Sequence, residues 1–337
     1  MPELPEVETV ARDLRGLILG TGIVDARCDW PRTLRTHPPD AFAAALRGRT
    51  IEGIGRRAKE LLVELSGGLI MTIHLKMTGQ LFVTPSDAPA DGHVHLVLDL
   101  ADGRQLRFRD IRKFGRVGLY RRDEATGEAL VEGSGAAVFG GHGPEPLGDG
   151  LTVSRFRELL RARHGRLKPL LMDQTFLAGI GNIYADEALW RARLHPLRGA
   201  ASLRPDEERR LHAAIREILG EAVERRGSSV DDYTAPGGDG TMQERLQVYQ
   251  RTGEPCPRCA RPIRRIVVSG RATHFCSWCQ RLPVQQQAGA AAILDRMTPA
   301  RNGAPARDLR TRTERTRSAA ATRRDAARAG VSRPVST

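Results

Sequence analysis

Lysine is scarce in this chain of 337 residues. Of the 53 basic residues only Lys59, Lys76, Lys113 and Lys168 are lysines, and all the others are arginines. The formal net charge is nevertheless +13 and the isoelectric point about 10.4. Such an excess of positive charge favours a polyanionic partner. Because lysine is so rare here, we expect a specific role for Lys59.

Long hydrophobic runs are missing as well. No apolar stretch reaches the ~18 residues of a membrane-spanning helix, so we expect no contact with a membrane. No signal peptide is recognisable, so we expect a cytoplasmic protein with reduced cysteines.

Large apolar residues are nearly absent after Leu282. Residues 283–337 contain eleven arginines and four acidic residues. A segment of this composition cannot bury a core, and we predict a disordered basic tail. A DNA-tethering arm and a solvated extension without function both fit this composition.

Cysteine is rare too, but four of the five cysteines are regularly spaced. Cys256 and Cys259 form one C-x2-C pair, and Cys276 and Cys279 form a second pair 16 residues later. This spacing predicts a site for one zinc ion bound by four thiolates. Four protein ligands leave no open coordination position, so the zinc is expected to be structural. Cys28 stands alone and is expected to be a small core residue.

Two β-rich stretches lie between the cysteine pairs. Residues 263–268 and 271–275 flank Ser269 and Gly270, a pattern typical of a β-hairpin. Arg271 would then lie just past the tip of a rigid, zinc-held finger. An arginine in this place suits a phosphate, although a solvated arginine is the simpler interpretation.

The N-terminus carries the most reactive group that the sequence suggests. Removal of Met1 would make Pro2 a terminal secondary amine, with a pKa near ~8 against roughly 10.4 for lysine. Such an amine can attack an aldehyde-level carbon to give an iminium, and Glu3 beside it could transfer a proton. The alternative is that the prolines only form an extended lead into a helix.

Apolar periodicity divides the chain into elements. A helix is predicted from Val7 to Ile18, and Gly20 ends it. Strands are predicted from about residue 22 to 122, with a hairpin turn at residues 102–103. The Gly/Pro-rich residues 133–150 read as a linker. Four helices are predicted after it: residues 154–163 with Ser154 as N-cap, a helix with Pro169 in its first turn, residues 182–190 with Asn182 as N-cap, and residues 205–226.

Four motifs together carry a family resemblance. They are PELPEVE at residues 2–8, KPLLMDQ at residues 168–174, GIGNIYADE at residues 179–187 and the terminal zinc finger. In this order they closely resemble bacterial formamidopyrimidine-DNA glycosylase, a bifunctional base-excision enzyme for oxidised purines. The resemblance extends from residue 2 to about residue 281.

The resemblance implies an α+β multidomain fold. An N-terminal antiparallel β-sandwich with an N-terminal helix would occupy residues 1–132, and a linker residues 133–150. A helical domain with a helix–two-turn–helix motif would occupy residues 151–245, a zinc-finger β-hairpin residues 246–282, and the basic tail residues 283–337. Residues 228–242 resemble the loop that covers the flipped base in relatives.

Catalytic roles follow from the resemblance residue by residue. Pro2 matches the nucleophile that attacks C1′ of the damaged nucleoside, and Glu3 the proton donor that assists loss of the base. Lys59 matches a proton-donor lysine. Arg271 matches a finger arginine that contacts phosphate and assists the last elimination step.

DNA-contact roles follow in the same way. The matching positions are His93, Arg112, Arg163, Lys168 and Asn182. Met77, Arg112 and Phe114 match the wedge that fills the gap left by an extruded base, with Arg112 bonding to the orphaned partner base. Ordinary sheet packing is the alternative for Met77 and Phe114.

These assignments predict a monomeric enzyme that acts on damaged double-stranded DNA in the bacterial cytoplasm, at the nucleoid. It would flip an oxidised purine, displace the base with Pro2 and cut the strand by β,δ-elimination. No redox or nucleotide cofactor is implied. Three alternatives share some of these features: an endonuclease VIII-like enzyme for oxidised pyrimidines, a catalytically silent lesion-binding paralogue, and a sequence-specific zinc-finger regulator. Leu4 and the wedge residues favour the purine branch.

Overall fold

A computed structural model describes residues 1–229 and 236–297. The chain begins with helix α1 (Leu4–Ile18). Pro2 precedes this helix and Pro5 lies in its first turn, and a capping box joins Glu3 to Glu6. Gly20 has φ +80° and follows the end of the helix, as predicted. Leu17, in contrast, is exposed.

Two antiparallel sheets follow. The first has the strand order β1-β6-β7-β5 and the second the order β2-β3-β4-β8-β9. Their strands are β1 (Ile23–Cys28), β2 (Ile51–Arg57), β3 (Glu60–Leu65), β4 (Leu69–His74), β5 (Gly79–Pro85), β6 (Val94–Leu100), β7 (Arg104–Asp110), β8 (Arg116–Arg122) and β9 (Ala129–Leu130). The predicted turn at residues 102–103 connects β6 to β7, and Gly103 takes φ +83°. The predicted sandwich is confirmed.

One apolar core lies between the two sheets. Leu98 and Phe108 of the first sheet and Val63 and Met71 of the second belong to the same buried cluster. Val10 of α1 joins this cluster, as does Phe42 of helix α2 (Pro39–Leu46). The helix α2 was missed because we read the whole of residues 22–122 as strands.

A helical domain follows the linker. It contains α3 (Val153–Arg161), α4 (Leu167–Met172), α5 (Asn182–Arg191) and α6 (Pro205–Glu224) around a second apolar core. Leu4 of α1 belongs to this second core, whereas Val7 belongs to the sandwich core. Helix α1 therefore joins the two domains, which places the chain's N-terminus between them.

Two predicted caps were wrong. The N-cap of α3 is Thr152, whose hydroxyl accepts from the Arg155 N–H at 3.2 Å, and not Ser154. Asn182 is the first residue of α5 rather than its cap. The α5 N-terminus is instead bonded by a side chain far away in sequence, as described below.

The finger is formed by β10 (Arg264–Val268) and β11 (Arg271–Phe275), and the predicted hairpin is confirmed. Beyond it lie α7 (Val284–Gln287) and α8 (Ala291–Leu294), and α8 packs against β10 of the hairpin. Ala290 between them is buried against Ile266, Val268 and Phe275. The prediction of disorder was therefore wrong for residues 284–294, and residues 298–337 of the predicted tail lie outside the described residues.

Candidate active site

A cavity of about 210 Å³ lies where the sandwich, the helical domain and the finger meet. Six residues predicted from the sequence line it: Pro2, Glu3, Lys59, Met77, Asn182 and Arg271. Ser228 lines it too and begins the predicted covering loop, of which residues 230–235 lie outside the described residues. Six others were not predicted: Met1, Glu6, Met172, Gly181, Ile183 and Tyr249. Pro2 and Arg271, which are almost 270 positions apart in the sequence, thus line the same cavity.

Pro2 is buried at this cavity beneath a partly exposed Met1. The backbone after it is fixed from two sides. The Glu3 N–H donates to the Glu6 carboxylate at 2.8 Å, and the Leu4 N–H donates to the Gly179 carbonyl at 3.0 Å. Removal of Met1 would make the Pro2 nitrogen a terminal amine held in a defined place.

Glu3 bonds to the N-terminus of α5. Its carboxylate accepts from the N–H groups of Gly181 at 2.7 Å and Ile183 at 2.8 Å, with a longer bond from Tyr184 at 3.4 Å. A helix N-terminus has free N–H groups and favours negative charge. A Cβ at Gly181 would lie 2.4 Å from Cδ of Glu3, so this close approach requires glycine.

Lys59 lies at the turn between β2 and β3 and is only 8 % exposed. Glu145 fixes this turn by accepting from the Ala58 N–H and the Arg57 guanidinium, both at 2.7 Å. Burial lowers the pKa of the Lys59 ammonium, while the charges of Glu3 and Glu6 oppose the shift. A lysine with a lowered pKa gives up its proton more readily than an exposed one.

Glu6 is a buried carboxyl that the sequence did not single out. It accepts from the Tyr184 hydroxyl and from the Ser228 N–H at 2.7 Å. Burial raises its pKa, and the neighbouring Glu3 charge adds to this effect, while the hydrogen bonds act in the opposite direction. The signal that could have revealed it is an acidic residue on the apolar side of α1, between Leu4 and Val7.

The wedge residues lie together. The Arg112 guanidinium is 3.0 Å from the Met77 sulfur and 4.8 Å from the centre of the Phe114 ring. Met77 is 43 % and Phe114 46 % exposed, so both apolar side chains face solvent instead of packing in a sheet. This exposure argues against the packing alternative.

Asp110 fixes the loop of residues 110–115, which carries Arg112 and Phe114. This role was not predicted from the sequence. The buried carboxylate of Asp110 accepts from the Thr78 hydroxyl, from the Arg112 N–H at 3.2 Å and from the Gly115 N–H at 2.7 Å. The Asp110 N–H in turn donates to the carbonyl of His93, which places His93 next to this loop.

Two predicted DNA contacts lie elsewhere. The side chain of Arg163, just after α3, donates to the carbonyl and hydroxyl of Thr175 at 3.3 Å. Lys168 is 1 % exposed and forms an ion pair of 2.6 Å with the buried Asp186. This burial corrects the prediction that Lys168 contacts DNA directly, because the Lys168 ammonium is enclosed by protein.

The four predicted zinc ligands come together. The sulfur atoms of Cys256, Cys259, Cys276 and Cys279 all lie within 4.8 Å of one another. Tetrahedral Zn–S bonds of about 2.3 Å place sulfur atoms about 3.8 Å apart. Two of the observed S···S distances are 3.9 Å and 3.5 Å, so the donor set fits a structural zinc ion.

Along the described parts of the chain, no helix has the length and apolar character needed to cross a membrane.

Comparison with known proteins gives three family matches in the order of the domains. Residues 1–117 match the N-terminal domain of formamidopyrimidine-DNA glycosylase, and residues 142–234 match its H2TH domain. Residues 253–282 match a zinc finger found in FPG and IleRS.

Whole relatives align over the same region. The chain is 50 % identical over 283 residues to the formamidopyrimidine-DNA glycosylase of Roseiflexus sp., which covers 83 % of this chain and 100 % of that protein. It is 51 % identical over 282 residues to that of Chloroflexus aurantiacus, which covers 83 % and 98 %.

Solved structures agree. A complex of a Lactococcus lactis FPG variant with DNA containing Fapy-dG superposes with a TM-score of 0.76 at 40 % identity, over 83 % of this chain and 100 % of that one. A complex of Lactococcus lactis Fpg with DNA containing an abasic site gives a TM-score of 0.75 at 40 % identity, with the same coverage. With this identity over the full length of its relatives, the chain belongs to the formamidopyrimidine-DNA glycosylase family.

Proposed function

We propose that this protein removes oxidised purines from duplex DNA and then cuts the strand at the resulting abasic site. The observation that supports this most strongly is the cavity itself. It brings Pro2 beside a carboxyl and a buried lysine, with Arg271 of the finger at the same space. These are the groups that base displacement, proton transfer and phosphate binding need.

The chemistry runs through the Pro2 nitrogen. Its lone pair forms a bond to C1′, and the bond from C1′ to the base breaks while Glu3 or Lys59 supplies a proton. The sugar ring opens to an iminium, which acidifies the proton at C2′. Loss of that proton expels the 3′ phosphate, and a second elimination expels the 5′ phosphate, with Arg271 binding the departing phosphate.

Access to C1′ requires that the nucleotide leave the base stack, at a cost of a few kcal/mol. We propose that Met77 and Phe114 fill the gap and that Arg112 bonds to the orphaned base, for which cytosine is expected. Their exposure beside the cavity supports this role. His93, Arg163 and Asn182 are proposed to contact the DNA backbone, Asn182 at the N-terminus of α5, where N–H groups favour phosphate.

The solved relatives support the purine branch, since three of them are complexes with DNA that contains Fapy-dG or N7-benzyl-Fapy-dG, and one is a complex with DNA that contains carbocyclic 8-oxo-G. We further propose that the enzyme works as a monomer, because one chain supplies Pro2, Lys59 and Arg271 to the same cavity, and that it works in the bacterial cytoplasm, where its DNA substrate lies. The zinc ion serves the finger and takes no part in the reaction.

A panel of lesion duplexes tests the proposal. Single-turnover excision is measured on DNA that contains 8-oxoguanine, a formamidopyrimidine, an oxidised pyrimidine or no lesion, each opposite all four bases. We expect rapid excision of both purine lesions opposite cytosine. Faster excision of the oxidised pyrimidine would favour the endonuclease VIII-like alternative. Binding of every lesion without excision would identify a silent paralogue.

A further inference from the structure

Asp186 is a charged residue buried at the junction of three elements. It lies on α5, its side chain is 0 % exposed, and its neighbours on the helix include Ala185 and Leu189, both buried. A carboxylate without solvent must be compensated by partners, since an unpaired buried charge is strongly destabilising. The catalytic chemistry described above makes no use of it.

Each oxygen of Asp186 bonds to a different element. Oδ1 accepts from the Lys168 ammonium of α4 at 2.6 Å. Oδ2 accepts from the backbone N–H of His274 in β11 at 2.9 Å, and the His274 ring nitrogen lies 3.1 Å from the same oxygen. One side chain thus connects both helices of the helical motif to the zinc-finger hairpin.

Both connections lead to residues that line the cavity. Lys168 also donates to the Asn182 carbonyl at 2.9 Å, which fixes the first turn of α5. His274 lies three residues after Arg271 on the same strand, a distance of roughly 10 Å. The His274 ring also packs edge-on against Tyr249, another lining residue, at 5.2 Å between centres.

We propose that Asp186 is a positioning residue that sets the placement of Arg271 relative to Asn182 across the cavity. The inference rests on the proposed function, because it assigns Arg271 and Asn182 to the DNA phosphates. Glu187 of α5 also accepts from the N–H groups of Val248 and Tyr249, and the Arg258 guanidinium donates to the Trp190 carbonyl. Among these bonds of the described residues, those of Asp186 are the ones that reach β11, the strand that begins with Arg271, and a charged carboxylate shared by two donors fixes their direction closely. Misplacement of a reacting group by about 1 Å can cost on the order of 100-fold in rate.

The experiment compares Asp186→Asn with Arg271→Ala and with the double variant, on DNA that contains a preformed abasic site. An asparagine is nearly isosteric, but it cannot accept from Lys168 and His274 with two charged oxygens. We expect Asp186→Asn to keep its zinc and to cut on the order of 10- to 100-fold more slowly than the unmodified protein. Because Asp186 acts through Arg271, the double variant should cut no more slowly than Arg271→Ala alone.

Two controls separate positioning from general damage. Glu254→Gln breaks the Arg251–Glu254 pair of 2.7 Å within the same finger and should leave cutting unchanged. If Asp186→Asn folds poorly, the double change Lys168→Met with Asp186→Leu removes both buried charges together and avoids an unpaired one. It should fold and still cut slowly.

Hydrogen exchange provides a readout without activity. In Asp186→Asn, the amides of residues 271–275 should exchange faster, while those of the sandwich core remain protected. Normal cutting by Asp186→Asn, or multiplication of the two single effects in the double variant, would overturn the proposal. A failure of the unmodified protein to cut any lesion would instead contradict the proposed function, and the exchange measurement would still test the role of Asp186.

Discussion

Glu3 has a structural role and a proposed chemical role, and its position makes the two compatible. The carboxylate receives backbone N–H groups from the start of α5 while its residue remains part of the cavity lining. These bonds hold the carboxylate next to Pro2 through backbone N–H donors, while Lys59 lines the same cavity. The cavity therefore contains an acid that is fixed in place by backbone alone.

Replacement of Glu3 by glutamine should separate these roles. The N–H groups of Gly181 and Ile183 bond to different oxygens of Glu3, and the single amide oxygen of glutamine can accept from one of them. The melting temperature should therefore fall by a few degrees, and it should fall further with alanine, which leaves both buried donors unsatisfied at about 1–3 kcal/mol each. Glutamine cannot transfer a proton, so base excision should fall at least about 100-fold. The check is calorimetry together with single-turnover excision. Normal excision by Glu3→Gln would assign the proton to another group.

His195 gives a pH dependence to the stability. It is 4 % exposed, its Nδ1 accepts from the Leu197 N–H at 3.1 Å, and burial lowers its pKa to about 4. Its pKa in the unfolded chain is near 6.5. Between these two pH values His195 is protonated in the unfolded chain but stays neutral in the folded protein. The stability from this residue is therefore present above pH 6.5 and is lost as the pH falls towards 4.

Replacement of His195 by asparagine should flatten this dependence. The interval of roughly 1.5 pH units between pH 6.5 and pH 5 corresponds to about 2 kcal/mol of unfolding free energy. We expect the difference between pH 7 and pH 5, measured by urea unfolding, to shrink by about that amount in His195→Asn. His164→Asn, at an exposed position, is the control and should show the unmodified dependence. An equal slope in both variants would contradict the assignment.

At the scale of elements, the two short helices after the last cysteine extend the finger. Ala290, together with Ile293 and Leu294 of α8, packs against the apolar side of the hairpin, which is formed by Ile266, Val268 and Phe275. Polar bonds fix them as well: Gln286 accepts from the Gly199 N–H, and Arg166 donates to the Gly289 carbonyl, both at 2.8 Å. The signal for them in the sequence is the group Ile293, Leu294 and Met297, which the polar composition of the whole tail masks.

Two truncations should therefore differ. Ending the chain after Leu282 uncovers the apolar face of the hairpin, and we expect faster loss of zinc to a chelator and faster exchange of the amides of residues 264–275. Ending it after Met297 keeps α7 and α8 and should preserve both properties. The same zinc-loss rate for the two truncated proteins would show that these helices do not stabilise the finger.

At the scale of the whole molecule, periodicity and turn residues predicted the sandwich, the helical domain and the hairpin. Local rules failed where a distant residue supplied the partner. Glu3 bonds to α5 in place of a local cap at Asn182, and Lys168 is enclosed by Asp186, so its charge does not reach the surface. The zinc ligands were predictable because two C-x2-C pairs at this spacing are typical of a zinc site with four thiolate ligands. The cavity joins segments that no local pattern could have brought together, and the family resemblance alone indicated which residues meet there.

The arginines of the basic tail are predicted to raise the affinity of the whole molecule for DNA. Residues 298–337 contain ten arginines and three acidic residues. Each arginine that contacts a phosphate adds about 0.9 to the slope of log affinity against log salt. Truncation after Met297 should therefore flatten this slope on undamaged DNA by about one unit or more, with single-turnover excision nearly unchanged. An unchanged slope would show that the tail does not bind DNA, and a large loss of excision rate would place it in the folded enzyme.

The central claim is that Pro2 is the nucleophile, and the site of covalent attachment tests it most directly. The protein is incubated with DNA that contains 8-oxoguanine in the presence of borohydride, which reduces the iminium to a stable bond. Proteolysis and mass spectrometry then locate the attached sugar. We predict attachment to the nitrogen of Pro2 in chains that have lost Met1. Attachment should be greatly reduced both in Pro2→Gly and in unmodified chains whose Met1 is retained by an N-terminal tag. Attachment to Lys59, or no covalent product during active excision, would contradict the account.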